Sequence, residues 1–129
     1  DLATDLYKKM CSYPNYKIYI ALDGKMVVGT FALLIIESLT HQCKPLAIVE
    51  DVMVGPKSQG KGVGKYMMNY AMQACQKLGC YQLSLSSNLK RNSAHQFYLS
   101  LGFESCGASF LVDSVKAPAK TVYQQAISL

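Results

Sequence analysis

The chain has 129 residues, half of them apolar and 16% charged, with 13 Lys and Arg against 8 Asp and Glu. That length holds one domain with a real core, and that balance excludes a disordered acidic or low-complexity protein. The longest uninterrupted apolar run, Phe31–Ile36, has the length of a strand and not of a membrane span, and no secretory leader is visible.

In chain order, Asp1–Tyr13 sets Leu2, Leu6 and Met10 four residues apart, which predicts an amphipathic helix ending near Pro14. Tyr16–Leu22 and Lys25–Glu37 are β-rich runs joined at Asp23-Gly24, a hairpin turn signal. Ser38–Lys44 is a polar connection, and Pro45–Val54 is the next strand. Gly55-Pro56 breaks that strand, and a loop with Gly60, Gly62 and Gly64 feeds a helix over Gly62–Leu78. Its buried stripe is expected at Val63, Met67, Tyr70/Ala71, Ala74 and Leu78. Tyr81–Ser86 reads as a strand with Gln82, Ser84 and Ser86 on one face. A short helix over 93–101 follows, capped by Ser93 in box spacing with Gln96 or by Asn92 itself. Ala94, Phe97, Tyr98 and Leu101 form its inward stripe, and Gly102 ends it. Ser105–Val112 is strand material, and a final strand is expected at Thr121–Ile127 after Ala117-Pro118. No repeat or interdomain linker interrupts the chain, so residues 1–129 read as one domain.

A strand, a glycine loop and a helix N-terminus in that order make an anion site. The first helical turn has N–H groups without partners, and the helix dipole places partial positive charge there. Lys57, Lys61 and Lys65 lie in the loop and first turn, with no Asp or Glu. A self-contained helix favours acids at that end, so the negative charge is expected from a ligand, and glycines let a phosphate approach the backbone. Gly55-x4-Gly60-Lys61 matches a Walker A loop until Gly62 takes the place of the Ser or Thr that holds Mg²⁺. A dinucleotide fingerprint starting at Gly60 and Gly62 fails at its last glycine, where Lys65 stands.

Gln59-x-x-Gly62-x-Gly64 after Val52-Met53-Val54 fits without repair, and resembles the acyl-CoA loop of the GNAT N-acetyltransferase superfamily. Ala94-x-x-Phe97-Tyr98-x-x-x-Gly102-Phe103 is similar to the last characteristic segment of the same superfamily, in the expected order after the loop. The resemblance covers about residues 16–112. It implies an α/β fold with a central mixed, largely antiparallel sheet flanked by helices. Relatives normally open with a further strand and helix, so this chain resembles an N-terminally short product. Glu50-Asp51-Val52 and Leu78-Gly79-Cys80-Tyr81 are similar to stretches of glucosamine-6-phosphate N-acetyltransferases, and the Lys90–Tyr98 run to small bacterial acetyltransferases.

The same resemblance implies acetyl-CoA as co-substrate, with no metal. The backbone of Val52, Met53 and Val54 would pair with pantetheine, and Gln59, Gly60, Lys61, Gly62, Val63, Gly64 and Lys65 would wrap the pyrophosphate. Tyr98 would be the acid for the departing thiolate, since a phenol with a pKa near ~10 is protonated at neutral pH. Glu50 would be the base, through a water, or the anchor of the substrate ammonium, with Asp51 in reserve. Arg91 departs from the family, which often has a cofactor-contacting Asn at that position; Asn92 follows it, and either could serve. His95 is expected at the surface, while His41 could reach a substrate.

Five cysteines (11, 43, 75, 80 and 106) without a C-x-x-C pair read as reduced thiols of a cytoplasmic protein, with no zinc site and no nucleophile motif. The net charge of +5 suits a polyanionic ligand and equally a solvated surface. The expected acceptor is a small-molecule primary amine, attacked directly in a ternary complex. A homodimer is the family-level expectation, with no nucleic acid and no membrane. A non-catalytic domain that binds or senses acyl-CoA is the alternative.

Overall fold

The computed structural model describes residues 1–113; the strand expected at Thr121–Ile127 and the Ala117-Pro118 step lie outside the described residues. Asp1 caps helix α1 (Leu2–Cys11), its carboxylate accepting the Thr4 N–H at 2.8 Å. Strands β1 (Tyr16–Asp23) and β2 (Met26–Ile36) form the expected hairpin, paired antiparallel from Tyr16 opposite Leu34 to Asp23 opposite Met26. Strand β3 (Leu46–Val54) pairs antiparallel with β2, and β4 (Gln82–Ser84) pairs parallel with β3, in the order β1-β2-β3-β4. A parallel pair needs a crossover, supplied here by helix α2 (Val63–Lys77), which packs on β2, β3 and β4. Helix α3 (Asn92–Ser100) follows β4. The expected mixed, mostly antiparallel sheet with flanking helices is therefore present.

Phe31 and Leu33 of β2, Ala47 and Val49 of β3, and Met67, Met68, Ala71 and Cys75 of α2 form the core between sheet and helix. The stripe of α2 is rotated from its expected position: Tyr70 and Leu78 are exposed, and Met68 and Cys75 are buried in their place. The helix has two neighbours rather than one. Its first turn also meets α3 through Gly64 and Phe97, and Leu78 lies past the last turn. The segment Ser105–Val112 is not a strand, and Phe110 and Leu111 are almost fully exposed. A strand needs a ladder partner for its backbone, and β4 offers a paired length of only three residues. Helix α1 forms as its spacing predicts but buries none of its side chains among the described residues.

One irregularity in β3 decides which way its end faces. Thr30 is opposite Met53 and Ala32 opposite Glu50, so Phe31 alone faces both Asp51 and Val52. Asp51 takes the extra place, at φ +52°. Strict alternation after Ala47 and Val49 would turn the Asp51 carboxylate inward, where an unpaired charge is costly. The bulge leaves Asp51 exposed and returns Val52 and Val54 to the core side. Glu50 and Asp51 are thus both exposed. Asp tolerates this left-handed conformation and a β-branched residue does not. Asp51→Val should lower stability by about 1–3 kcal/mol, read as a lower urea midpoint, with Asp51→Gly at least as stable as the parent.

Candidate active site

Strands β3 and β4 share a ladder only from Leu46 opposite Gln82 to Ile48 opposite Ser84. Strand β3 continues to Val54, while the chain after Ser84 leaves the sheet for the loop to α3. The two parallel strands therefore part, and among the described residues no strand lies beside the β3 edge from Val49 to Val54 on that side. The Asp51 bulge bends β3 where the parting begins. An extended chain laid along this edge would find free backbone donors and acceptors, as an added strand does.

At the open end, the Gly55 N–H donates to the Val28 carbonyl at 2.8 Å and anchors the loop to β2. Pro56–Ser58 make one tight turn, and Gln59 Nε2 donates back to the Val54 carbonyl at 3.4 Å. Gly60 and Gly62 stand at φ +73° and +84°, and a Cβ on either would meet no atom within 4 Å. Their conformation excludes side chains, and the space above them is open. Gly62 caps α2 without a side-chain bond, and the first bond of the helix runs from Tyr66 N–H to the Gly62 carbonyl. The N–H groups of Val63, Gly64 and Lys65 thus precede any intrahelical acceptor. Lys57, Lys61 and Lys65 are exposed around them, and the first turn contains no acid. This is a positive helix end set up for an anion.

Gly64 has a second duty. A Cβ there would stand 3.1 Å from Phe97 Cζ, so its absence lets α2 and α3 touch. Phe97 is the ring neighbour of Tyr98, at 5.1 Å between centroids. Gly64→Ala should cost about 1 kcal/mol in urea unfolding, overpacking outweighing the better helix propensity of Ala. The Tyr98 ring should shift with Phe97, its neighbour on α3.

Tyr98 is half-buried, with Phe97 on one side and Phe103 at 5.7 Å on the other. Burial raises its pKa above 10, and the Arg91 guanidinium partly opposes that rise. The phenol is a protonated donor at neutral pH. Val52–Val54 and Gln59–Lys65 follow one another along the parting and its open end. Glu50 follows the last β3 residue paired to β4 by two positions and is exposed.

Two expectations at α3 fail. Neither Ser93 nor Asn92 caps the helix: both lie inside it, and Arg91 is the cap residue, without a side-chain bond. His95 is half-buried rather than a surface residue, with its Nε2 2.8 Å from the Asn88 carbonyl. No spacing rule could have found that bond, because it crosses a loop of irregular shape. His41 stacks on Tyr81 at 3.8 Å, in the turn before β3, at the opposite end of that strand from the glycine loop.

Residues 14–105 match a family described as the acetyltransferase (GNAT) domain. The chain is 27% identical over 110 residues to glucosamine 6-phosphate N-acetyltransferase of Candida albicans, covering 84% of this chain and 72% of that protein. It is 30% identical over 91 residues to aminoalkylphosphonate N-acetyltransferase of Salmonella typhimurium, covering 70% of this chain and 58% of that one. Among solved structures, glucosamine-6-phosphate N-acetyltransferase from Arabidopsis thaliana has a similar fold, with a TM-score of 0.75 at 20% identity over 86% of this chain and 76% of that one.

Proposed function

Because the chain belongs to the GNAT acetyltransferase family, we propose that it moves the acetyl group of acetyl-CoA onto the primary amine of a small molecule, by direct attack in a ternary complex. The observation that carries this reading is the parting of β3 from β4 above an uncapped, lysine-ringed helix N-terminus. A long ligand with an amide-bearing arm and a polyphosphate end matches both features at once. The backbone of Val52, Met53 and Val54 holds the arm, and the amides of Gly62–Lys65 with the nearby lysines hold the phosphates.

The chemistry then needs few groups, since alignment of the two reactants itself supplies several kcal/mol. The amine nitrogen forms its bond to the acetyl carbon, the carbon–sulfur bond breaks, and Tyr98 gives its Oη proton to the leaving sulfur. A β3 backbone N–H in the parting holds the thioester oxygen. Glu50, exposed at the start of the parting, takes the proton that the ammonium loses through water, or anchors the ammonium while bulk water takes that proton; solvent then returns a proton to Tyr98. The two curated relatives act, by name, on an amino sugar phosphate and on aminoalkylphosphonates. Small amines that carry a phosphate or phosphonate are therefore the first acceptors to screen.

The test is thermal unfolding with acetyl-CoA, CoA, ATP with Mg²⁺ and NAD⁺, followed by thiol release over an amine panel. A ligand at a hundred times its Kd stabilises by about 2.7 kcal/mol. Stabilisation by acetyl-CoA and CoA, with amine-dependent thiol release, is the expected result. A response to ATP with Mg²⁺ alone would overturn it.

A further inference from the structure

Helix α2 ends in a closed turn. The Cys80 N–H donates to the Cys75 carbonyl at 3.0 Å and the Gly79 N–H to the Gln76 carbonyl at 3.2 Å, with Gly79 left-handed at φ +71°. Two such bonds around a left-handed glycine make a Schellman motif. It brings together the side chains three places before and two places after the cap residue, here Leu78. An apolar pair usually meets there, and in this chain both positions are cysteines. With one 3.0 Å bond and ordinary backbone dimensions between them, the two Cα atoms stand within the roughly 7 Å that a disulfide can span. Cys75 is 5% exposed in the core between helix and sheet, and Cys80, half-buried, packs against that core. Both thiols are free. Burial, with the Cys80 thiol beside it, pushes the Cys75 thiol up to about 11. At neutral pH Cys75 keeps its proton, and Cys80 is the thiol that an outside oxidant meets first.

We propose that Cys75 and Cys80 form a reversible oxidation site, which a peroxide closes into a disulfide tying the last turn of α2 to the entry of β4. The Cys80 sulfur gives up its proton and attacks one peroxide oxygen. The O–O bond breaks, Cys80 becomes a sulfenic acid, and the other oxygen leaves with the proton as water. The Cys75 sulfur then attacks the Cys80 sulfur, the S–O bond breaks, and the departing hydroxide takes the Cys75 proton as a second water. Two thiols have lost two electrons to one peroxide, and a dithiol reductant returns them. Strand β4 begins two residues after Cys80 and holds β3 through three register pairs, with the Tyr81 N–H on the Pro45 carbonyl at 2.9 Å. The bond therefore fastens a short strand to the helix that leads into it. The site stands independently of the acetyl-transfer reading.

Trypsin cuts after Lys65, Lys77 and Lys90, so Cys75 and Cys80 fall in different peptides and only a bond between them keeps the two together. Cys11→Ser, Cys43→Ser and Cys106→Ser together remove the three exposed thiols. That protein is treated with stoichiometric hydrogen peroxide, alkylated, and digested without reductant. The expected result is the linked pair of peptides, formed within single chains on a non-reducing gel and separated again by dithiothreitol. The melting temperature should rise on oxidation and return on reduction. Cys75→Ala should leave Cys80 as a sulfenic acid that dimedone traps. Gly79→Val strains the left-handed turn and should slow closure about tenfold or more. Peptides that stay unlinked at peroxide levels that oxidise the exposed thiols of the parent chain would overturn the proposal. So would a link formed only between chains, or one that closes as fast in Gly79→Val as in the parent.

Discussion

Tyr98→Phe should lower kcat for acetyl transfer by about a hundredfold to ten-thousandfold, with acetyl-CoA affinity and the urea midpoint close to the parent values. The substitution removes one oxygen and keeps the ring between Phe97 and Phe103, so packing is not what it tests. In the proposed reaction it removes the proton donor for the leaving sulfur, an interaction made only as the bond breaks. A loss confined to such an interaction appears in kcat and kcat/KM alike. The pH dependence has a definite sign. Burial raises the Tyr98 pKa above 10, so the acid form persists through neutral pH and the limb of the kcat profile due to Tyr98 should fall on the alkaline side. The folded chain holds this proton more tightly than the unfolded chain. The matching share of stability is present below pH 10 and is lost as pH rises through the raised value. If the domain only bound acyl-CoA, Tyr98→Phe would leave its function unaltered, and calorimetry beside a thiol-release assay separates the two cases.

What could be read from residue order follows a physical division. The glycine loop was legible because a positive φ and an uncapped helix end make local demands that only certain residues meet, as at Gly60 and Gly62. The hairpin at Asp23-Gly24 was legible for the same reason. The face of α2 was not, because its rotation answers to the sheet and to α3 together, and Phe97 lies far along the chain from Gly64. The bulge at Asp51 is set by register against β2, which no periodicity within β3 reveals. Ser105–Val112 has strand-like composition and no ladder partner among the described residues, and composition says nothing about partners. At the candidate site, the residue types of the loop and of the proposed acid were visible in order. The bond from His95 to Asn88 depends on the path of a loop and was not.

Gly62→Val should weaken acetyl-CoA binding by about a hundredfold to a thousandfold, and the reason lies in what surrounds that residue. A Cβ at Gly62 would meet no protein atom within 4 Å, so the substitution causes no clash inside the fold. Its cost comes from two other sources. A β-branched residue at φ +84° is strained by about 1–3 kcal/mol, and relief requires the loop to turn its amides elsewhere. Hydrogen bonds from backbone N–H groups to charged oxygens contribute about 1.5–3 kcal/mol each, and a re-aimed Val63 or Gly64 amide loses its share. The side chain would also occupy the space that the phosphates need. Calorimetric titration with acetyl-CoA and with CoA reads both effects, and Gly62→Ala should fall between parent and Val. Lys57→Ala is the control for charge without geometry: it should weaken binding only modestly, and less so at high salt, because an exposed lysine acts through a screened field. If Gly62→Val bound acetyl-CoA as tightly as the parent, this loop would not be the phosphate seat. The match of Gln59-x-x-Gly62-x-Gly64 to an acyl-CoA loop would then reflect only the local demands of a turn entering a helix.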